Sequence, residues 1–408
     1  MSDTFDKLQK LSRELVKAVG RVGDIGWQGV EKKSLHYASE NKKKSVEAVS
    51  LMELTDSEVL EYKVASAGKA NSLQPLFFGP PPEFWKRDIP INNKRKTYAR
   101  HHEEFLFYEI EQGSVLSLGE LGDIFFDKGG RIIKEISSPY YPLIGFFEYL
   151  NFAKKHFSQK GLVFFDRFKQ ANFAHWLLDN VPRLIGRNND EKVITRPISN
   201  KWQLQILAAY GIEKEQLVET LDFSINSFGS LRIPSYGVRN VPHPASKANP
   251  VVLNFIRSDN HKNHKPVESS SIIFVYRQDE RKVHGLEAMY DFFLNKGFVC
   301  TIIDPGKIDF EHQVAFFKTA DIVVGVHGAS LALAIFMKKN SLLIEFLPKS
   351  FGNPAFWMIG STLGVKHIFV TKIKSTNLGK KPQYRGGILS EDDALELCNL
   401  ILKEMEAK

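Results

Sequence analysis

One stretch of the chain, residues 320–348, reads ADIVVGVHGASLALAIFMKKNSLLIEFLP and places polar residues directly after an apolar, strand-like run. His327 and Gly328 follow that run, and a helical pattern begins at Ala329 and Ser330. Where a strand leads into a helix, several backbone N–H groups lack partners, the helix dipole is positive, and glycine lets a phosphate approach closely. His327 can add a hydrogen bond or a positive charge. The turn has the composition of an anion site, although a tight turn around a buried histidine would use the same residues.

Two arginines follow another strand-like run, SIIFVY. Arg277 and Arg281 lie in the turn after that run, and guanidinium groups bind phosphate oxygens in bidentate fashion. The alternative is an exposed loop in which they pair with Asp279 and Glu280. Because the carboxyl ends of parallel strands share one sheet edge, these arginines and His327 should converge there. We therefore predict a diphosphate site at that edge.

A third segment, ANFAHWLLDNVPRL, has the pattern of a helix. His175 and Asp179 are four residues apart, so they share one helical face and can hydrogen-bond. A histidine oriented by a carboxylate is the usual arrangement of a general base near neutral pH. The alternative is a pair that only stabilises the helix. Pro182 is predicted to end or kink the helix and to leave Arg183 near its carboxyl end.

Glu345 ends the strand-like run SLLIEF, one strand along from the His327 turn. A carboxylate there can accept from a ribose or sugar hydroxyl, or it can cap a helix or join an ion pair. The motifs GxxxxGK[ST], GxSxG, HExxH and GxGxxG are absent, and the C-terminal half has no Asp-x-Asp to hold a divalent ion against a diphosphate. This disfavours a metal-assisted mechanism.

The composition of the 408 residues, 43% hydrophobic and 25% charged, is that of a globular chain. The two cysteines, Cys300 and Cys398, lie outside any CxxC pair, which argues against a disulfide scaffold or a cysteine zinc site. The N-terminal residues lack the apolar core of a secretory signal, so we expect a cytoplasmic protein. The net charge of +8 comes with basic clusters at 40–45 and 93–102, which no nucleic-acid motif accompanies. We expect no nucleic-acid partner and leave open a peripheral contact with an anionic membrane.

The order of elements predicts an α/β fold. Short strands around a DKGG hairpin occupy residues 104–138, and strand- and helix-like runs alternate from 162. A loose passage at 236–271 precedes a regular alternation that ends in a helix with a capping box at Ser390 and Asp393. The proline-rich connection at 73–85 is predicted to lack regular structure. Two α/β halves should face a cleft lined by strand carboxyl ends.

Three segments together resemble glycosyltransferase family 61: NFAHWLLDNVPRL, the RQDERK arginine pair, and ADIVVGVHGASLALAIF followed by LLIEFLP. The hairpin region GSVLSLGELGDIFFDKGGRIIKEIS is also similar to the family's N-terminal β-segment. Ser330 stands where the family usually has its second glycine, and Leu333 where it has asparagine. Gly285 stands near a position where the family often has asparagine. These departures leave the nucleotide and the sugar of the donor open.

The resemblance implies a GT-B type fold with two Rossmann-like domains facing across a cleft and an N-terminal mixed α/β extension. The predicted segments are a helical and irregular basic extension (1–103), an acceptor-side α/β domain (104–240), a linker (241–270), a nucleotide-sugar-binding domain (271–389) and a C-terminal helix (390–408). The implied activity is inverting, metal-independent transfer of a sugar from a nucleotide-sugar, with uridine diphosphate as the expected nucleotide, to a hydroxyl of a glycan or glycolipid. Such a reaction would serve the assembly of a surface polysaccharide or glycoconjugate.

The resemblance also assigns roles to residues. The donor-binding set is Arg277, Arg281, His327, Gly328, Ala329, Ser330 and Glu345. The catalytic base is His175 supported by Asp179, or Asp179 itself, and Asn172 and Arg183 lie on the acceptor side. Two other readings remain open: a related nucleotide-sugar epimerase or hydrolase, and a degenerate transferase that serves as a binding scaffold.

Overall fold

The structure is a computed structural model of the chain. It describes residues 2–19, 30–34, 37, 40, 48–49, 59–65, 68–73, 75–82, 97–102, 105–134, 136–138, 140–147, 152–164, 172–234, 249–258, 271–350, 354–379 and 385–406. Of the basic clusters predicted at 40–45 and 93–102, the structure describes residue 40 and residues 97–102, and the latter form a strand.

The strands are numbered in chain order. They are β1 (Ala48–Val49), β2 (Val59–Ala65), β3 (Gly68–Leu73), β4 (Leu76–Phe78), β5 (Thr97–His102), β6 (Phe105–Glu111), β7 (Ser114–Ser117), β8 (Asp123–Phe126), β9 (Ile132–Ile133), β10 (Ala153–Val163), β11 (Lys192–Thr195), β12 (Leu217–Glu219), β13 (Ser224–Pro234), β14 (Ile272–Val275), β15 (Val283–His284), β16 (Cys300–Ile303), β17 (Ile322–Val326), β18 (Leu342–Phe346), β19 (Lys366–Val370), β20 (Lys374–Ser375) and β21 (Gly387–Ile388).

The α-helices are numbered in the same way. They are α1 (Ser2–Val19), α2 (Phe173–His175), α3 (Lys201–Ala209), α4 (Pro250–Arg257), α5 (Leu286–Asn295), α6 (Phe310–Thr319), α7 (Ala355–Thr362) and α8 (Glu391–Glu406). A π-helical turn follows α2 at Trp176–Asn180, and 3₁₀ turns occupy Gly119–Leu121, Tyr141–Phe147, Val181–Leu184, Lys214–Gln216 and Ala329–Phe336.

The chain divides into two compact units, each built from separate stretches of sequence. Unit 1 comprises Met1–Ser66, Glu103–Gln203 and Gly211–His243, and unit 2 comprises Ala67–His102, Leu204–Tyr210 and Pro244–Lys408. The region predicted as one extension, 1–103, is therefore shared between the units. The physical reason lies partly in β4, which adds to the sheet of unit 2 by pairing with β19.

Unit 1 contains a large mixed sheet. Its described strands run in the order β1-β9-β8-β7-β13-β10-β11-β12, and β6 pairs with both β13 and β2. Strands β10 to β13 pair in parallel, whereas β7 and β6 lie antiparallel to β13. The predicted hairpin is confirmed, because β8 and β9 pair across the DKGG turn. Apolar side chains of α1 pack on this part of the sheet, among them Leu8 and Leu15.

Unit 2 contains a parallel sheet whose described strands run β16-β14-β17-β18-β19-β4. If β14, β16, β17, β18 and β19 are numbered one to five along the chain, their order is 2-1-3-4-5, a doubly wound arrangement. One face of the sheet packs against α5 and α8, and the other carries a smaller cluster with Trp357 of α7. The predicted α/β class is confirmed.

The structure departs from the sequence-based expectations in three places within unit 2. The helix expected after His327 is a 3₁₀ helix, Ala329–Phe336, rather than an α-helix. The predicted linker contains α4, which begins with proline after the N-cap Asn249. The proline-rich connection contains β4, a three-residue edge strand that ends before Gly79–Pro80. An edge position tolerates this, because the prolines that follow need not donate to a ladder.

Two further details agree with the predictions. The backbone N–H of Asp393 donates to Ser390 Oγ at the start of α8, as a capping box requires. Cys300 and Cys398 are free thiols on β16 and α8. Among the described residues, no helix is both long and apolar enough to cross a lipid bilayer.

Candidate functional site

The candidate site of unit 2 lies where β14 and β17 end side by side. The crossover after β14 runs through α5 to β16, and the crossover from β16 runs through α6 back to β17. Right-handed crossovers in this order place their helices on opposite faces and leave a crevice at the carboxyl ends of β14 and β17. Arg277 follows β14 by two residues and His327 follows β17 directly. Ligands of open α/β sheets bind at such a switch point.

Arg277 lies directly against the backbone of Gly328. A methyl group placed on Gly328 would come within 2.0 Å of Arg277 Nη1, closer than any real contact. The backbone there is extended, so glycine matters here through this close approach and not through the dihedral angles: a methyl group would push the flexible Arg277 guanidinium aside. The structure therefore brings the arginine and the His327 turn together, as the sequence predicts.

Asp279 joins the two arginines into one cluster. Arg277 donates from Nε and Nη2 to the two carboxylate oxygens at 2.6 and 2.7 Å. Arg281 donates from Nη2 and Nε to Oδ2 at 3.0 and 3.2 Å, and from its backbone N–H to Oδ1. The ion pair weighed as an alternative is thus formed, in the same place as the predicted anion site. One half-exposed carboxylate occupies the space between two guanidinium groups.

Glu345 lies behind His327, deep in the sheet. Its side chain is fully buried, and its Oε1 accepts a hydrogen bond from His327 Nδ1. Its Oε2 lies 2.9 Å from Nε2 of the buried His367 on β19. Both carboxylate oxygens therefore face histidines, so the carboxylate is directed at these rings and not toward solvent.

The charge of Glu345 is held by its two neighbours. Burial alone would raise the pKa of this carboxyl, but the charge and hydrogen bond of His327, with a further contribution from His367, bring the pKa down to about 2. Glu345 is therefore an anion at neutral pH, and it accepts a hydrogen bond from the ring of His327. The ring of Phe356 lies 4.9 Å from that of His327 and packs beside it.

The residues predicted as a base lie in unit 1. His175 Nδ1 and Asp179 Oδ2 are 2.6 Å apart, so the predicted pair is formed. Asn172 caps α2 and accepts from the backbone N–H of His175. Trp176 fixes the segment by packing edge-on against Phe164 and Trp202, with ring centroids 5.0 and 5.7 Å away. The pair thus sits on a short helical segment anchored by aromatic packing.

The predicted single helix is three kinds of turn in succession. After α2 the chain widens into the π-helical turn and tightens into the 3₁₀ turn that contains Pro182. Proline lacks an N–H, so it is tolerated near the start of that last turn and does not stop the helix there. Arg183 is fully buried, and its Nε donates to the carbonyl of Asp179. π-Helical turns are frequent at functional sites.

Sequence reasoning missed two features of the site in unit 2. Asp279 was considered only as a surface partner, although its position between two arginines in RQDERK signals a bridging carboxylate. His367 was not considered at all. The signal in the sequence is a polar residue inside the apolar run that forms β19. The register between β18 and β19 then brings this residue to Glu345. Among the described residues, no cluster of three or more His, Cys, Asp or Glu side chains has a geometry that could hold a metal ion.

Replacing Gly328 with alanine tests the contact between the arginine and the glycine turn. The added methyl group displaces the Arg277 guanidinium, so we expect affinity for inorganic pyrophosphate and uridine diphosphate to fall roughly tenfold or more, the value of a charged hydrogen bond. Isothermal titration calorimetry measures this change. Gly379→Ala is the matched control, because a methyl group there meets no atom within 4 Å. Equal affinities for both variants would contradict the assignment.

Comparison with known proteins bears on the same segment. Residues 173–344 match the family model Glycosyltransferase 61, and the matched range includes His175, Asp179, Arg277 and His327. It ends before Glu345. A search among curated proteins found no match. The resemblance seen in the motifs is confirmed by this match, which shows similarity to glycosyltransferase family 61 over residues 173–344.

Proposed function

We propose that the chain is a metal-independent, inverting glycosyltransferase that moves a sugar from a nucleotide-sugar to a hydroxyl of a glycan acceptor. The observation that carries the proposal is the packing of Arg277 on Gly328 at the switch point of the parallel sheet, inside the segment matched to the family. That place combines two guanidinium groups with a glycine turn. A nucleoside diphosphate is the ligand chemistry that suits it.

The donor's diphosphate would lie against Arg277, Arg281 and the turn from His327 to Ser330, with Gly328 and Ala329 offering their backbone. When the bond between the anomeric carbon and the phosphate oxygen breaks, negative charge grows on the leaving diphosphate. Fixed positive groups stabilise that charge in the transition state and so take the part that a divalent ion plays in other transferases. Uridine diphosphate is the expected leaving group.

Binding of the donor requires Asp279 to leave the space between the arginines. Its side chain is 45% exposed, and exposed ion pairs are worth at most about 1 kcal/mol. A diphosphate carries more charge than one carboxylate and offers more acceptor oxygens, so it competes well for the same guanidinium groups. The carboxylate would keep the two arginines oriented until the donor arrives.

Glu345 has a different part in this proposal from the one expected of it. Because its oxygens face His327 and His367, we assign it to holding His327 and not to contacting a sugar hydroxyl. The departure from the family at Leu333 falls on a fully buried side chain, so it changes packing behind the turn. Ser330 is the departure that stands next to the donor in this proposal.

The acceptor is activated by His175 of unit 1. Its Nε2 takes the proton of the acceptor hydroxyl while Asp179 holds Nδ1–H and stabilises the imidazolium. The acceptor oxygen bonds to the anomeric carbon as the phosphate oxygen leaves from the opposite side, which inverts the configuration. Asp179 acting directly as the base is the rival assignment. Asn172 and Arg183 would support the segment through the backbone groups that they hold.

This division between a donor unit and a base unit is that of the GT-B architecture, which we propose for the chain. A reaction in the cytoplasm, with the basic N-terminal region resting on an anionic membrane, would suit assembly of a surface polysaccharide or glycoconjugate. A nucleotide-sugar hydrolase or epimerase is the alternative enzyme, and it would form product without any acceptor. A chain that binds no nucleoside diphosphate would instead be a scaffold.

A thermal-shift panel tests donor binding directly. We expect uridine diphosphate or another nucleoside diphosphate to raise the melting temperature, and the parent nucleoside to have little effect, because ligand binding to the folded state stabilises it. Arg277→Ala should lose that shift and Arg277→Lys should keep only part of it, since lysine lacks the bidentate fork. Lys296→Ala serves as the control. It also removes a positive charge, but Lys296 lies between α5 and β16, next to the amino ends of the strands, whereas the site lies at the carboxyl ends. An unchanged shift in Arg277→Ala would overturn the diphosphate assignment.

Removal of the base should separate binding from transfer. In His175→Ala we expect the donor-induced shift to persist while transfer to an acceptor falls by roughly 10²- to 10⁴-fold, the usual contribution of a general base. The exposed His156 of unit 1, replaced by alanine, is the control. Transfer is followed by release of nucleoside diphosphate in the presence and absence of an acceptor glycan. Wild-type rates in His175→Ala would assign the base elsewhere.

A further inference from the structure

His367 and Glu345 meet because of the register between β18 and β19. Leu343 is opposite His367 and Glu345 is opposite Phe369, so the two polar residues lie diagonally on one face of the sheet. The same face carries Leu347, Trp357 and Phe369 in an apolar cluster. Two ionisable side chains have thus been placed where the fold would otherwise use apolar ones.

A carboxylate in such surroundings needs compensation, because an unpaired buried charge is strongly unfavourable. Glu345 has only acceptor oxygens when ionised, so the ring nitrogens that face it must carry protons. His327 therefore donates from Nδ1. Nε2 of His367, 2.9 Å from Oε2, carries a proton too, because two lone pairs at that separation would repel each other.

The proton of His367 belongs on Nε2 and not on Nδ1. Both ring nitrogens are buried and neither makes a well-directed hydrogen bond, but Nε2 lies 2.9 Å from a carboxylate oxygen. A proton on Nδ1 would be a buried donor without any acceptor, which is unfavourable. His327 is the outer ring, with its side chain 12% exposed. Nε2–H of His367 and Nδ1–H of His327 thus face the two oxygens of one carboxylate.

From this geometry we propose that His367 is a positioning residue, which acts through Glu345 to hold His327 with a proton on Nδ1 and to direct its Nε2 atom to the donor's diphosphate. The inference rests on the proposed function, in which His327 contacts that diphosphate. With Nδ1 taken by the carboxylate, a contact of His327 with an anion falls to Nε2. A purely structural His367 would fill space against Phe369, whose ring centroid is 4.3 Å away, and would leave the protonation of His327 unaffected.

Nuclear magnetic resonance of the wild-type chain with ¹⁵N-labelled histidine tests the proton assignment without any nucleotide. The chain has 12 histidines, so the signals are assigned by single substitutions. We expect His367 to be neutral with its proton on Nε2, and His327 to be protonated on Nδ1. A charged His367, or a proton on its Nδ1, would overturn the proposal.

Two variants test the effect on the ligand. His367→Phe keeps an aromatic ring beside Phe369 and removes the donor to Glu345, so the His327 signals should shift and affinity for uridine diphosphate should fall roughly tenfold, the value of a charged hydrogen bond. His367→Gln supplies an amide N–H in place of Nε2–H and should restore both the His327 signals and the affinity. Affinity for uridine without phosphates should change in neither variant.

The outcomes separate this inference from the proposed function. If the wild type binds no nucleoside diphosphate, the proposed function fails, whereas the wild-type spectrum still decides the proton assignment. If uridine diphosphate binds and His367→Phe leaves both its affinity and the His327 signals unchanged, His367 is only structural and the inference fails. If His367→Phe does not fold, His367→Gln and the wild-type spectrum provide the test. A folded His367→Gln that loses affinity while the His327 signals stay unchanged would also contradict the inference.

Discussion

The contact between the Arg277 guanidinium and the backbone of Gly328 depends on a residue without a side chain at position 328. The sheet order places the two ends of β14 and β17 together, and the divergence of their helices opens the edge between them. A guanidinium that reaches this edge meets the backbone of Gly328 directly. The rest of the site in unit 2 surrounds that contact: Asp279 bridges the two arginines, and His327 directly precedes Gly328 in the chain.

Behind this edge, the fold buries a charged carboxylate together with groups that compensate its charge. A buried carboxylate is costly alone, but Glu345 shares its two oxygens between two imidazoles and remains ionised well below neutral pH. The buried carboxylate orients His327, the outer of the two imidazoles, which lies at the edge. Because β17, β18 and β19 are neighbours in one parallel sheet, Glu345 and His367 are held by strands, and His327 is the first residue after a strand. Such preorganisation lets an electrostatic site act without reorganising.

Much of this arrangement was predictable from local patterns. Alternating strand and helix signals gave the parallel sheet, the four-residue spacing gave the His175–Asp179 contact, and the position of His327 after a strand gave its place at the edge. The 3₁₀ geometry of Ala329–Phe336 was not predictable from the same pattern, because small and apolar residues suit both kinds of helix. The helical segment does end just after Pro182, with Arg183 in its last turn, but the change from a π-helical to a 3₁₀ turn at Val181 was not predictable from that proline.

Other features depend on contacts between distant parts of the sequence. The strand β4 is short and is followed by prolines, and it is a strand because it pairs with β19. No local signal in the sequence could therefore identify it. The pairing of His367 with Glu345 depends on the relative register of β18 and β19. Two hydrophobic runs alone do not determine that register. The bridge made by Asp279 is local, yet only the folded turn shows that both arginines reach the same carboxylate.

A crystal structure of the chain with uridine diphosphate tests the central claim most directly. The account predicts phosphate oxygens within hydrogen-bonding distance of the Arg277 guanidinium and the backbone of the Gly328 turn, with the Asp279 carboxylate moved out from between the arginines. A diphosphate bound elsewhere, or an Asp279 that still bridges Arg277 and Arg281 while the nucleotide is bound, would contradict it.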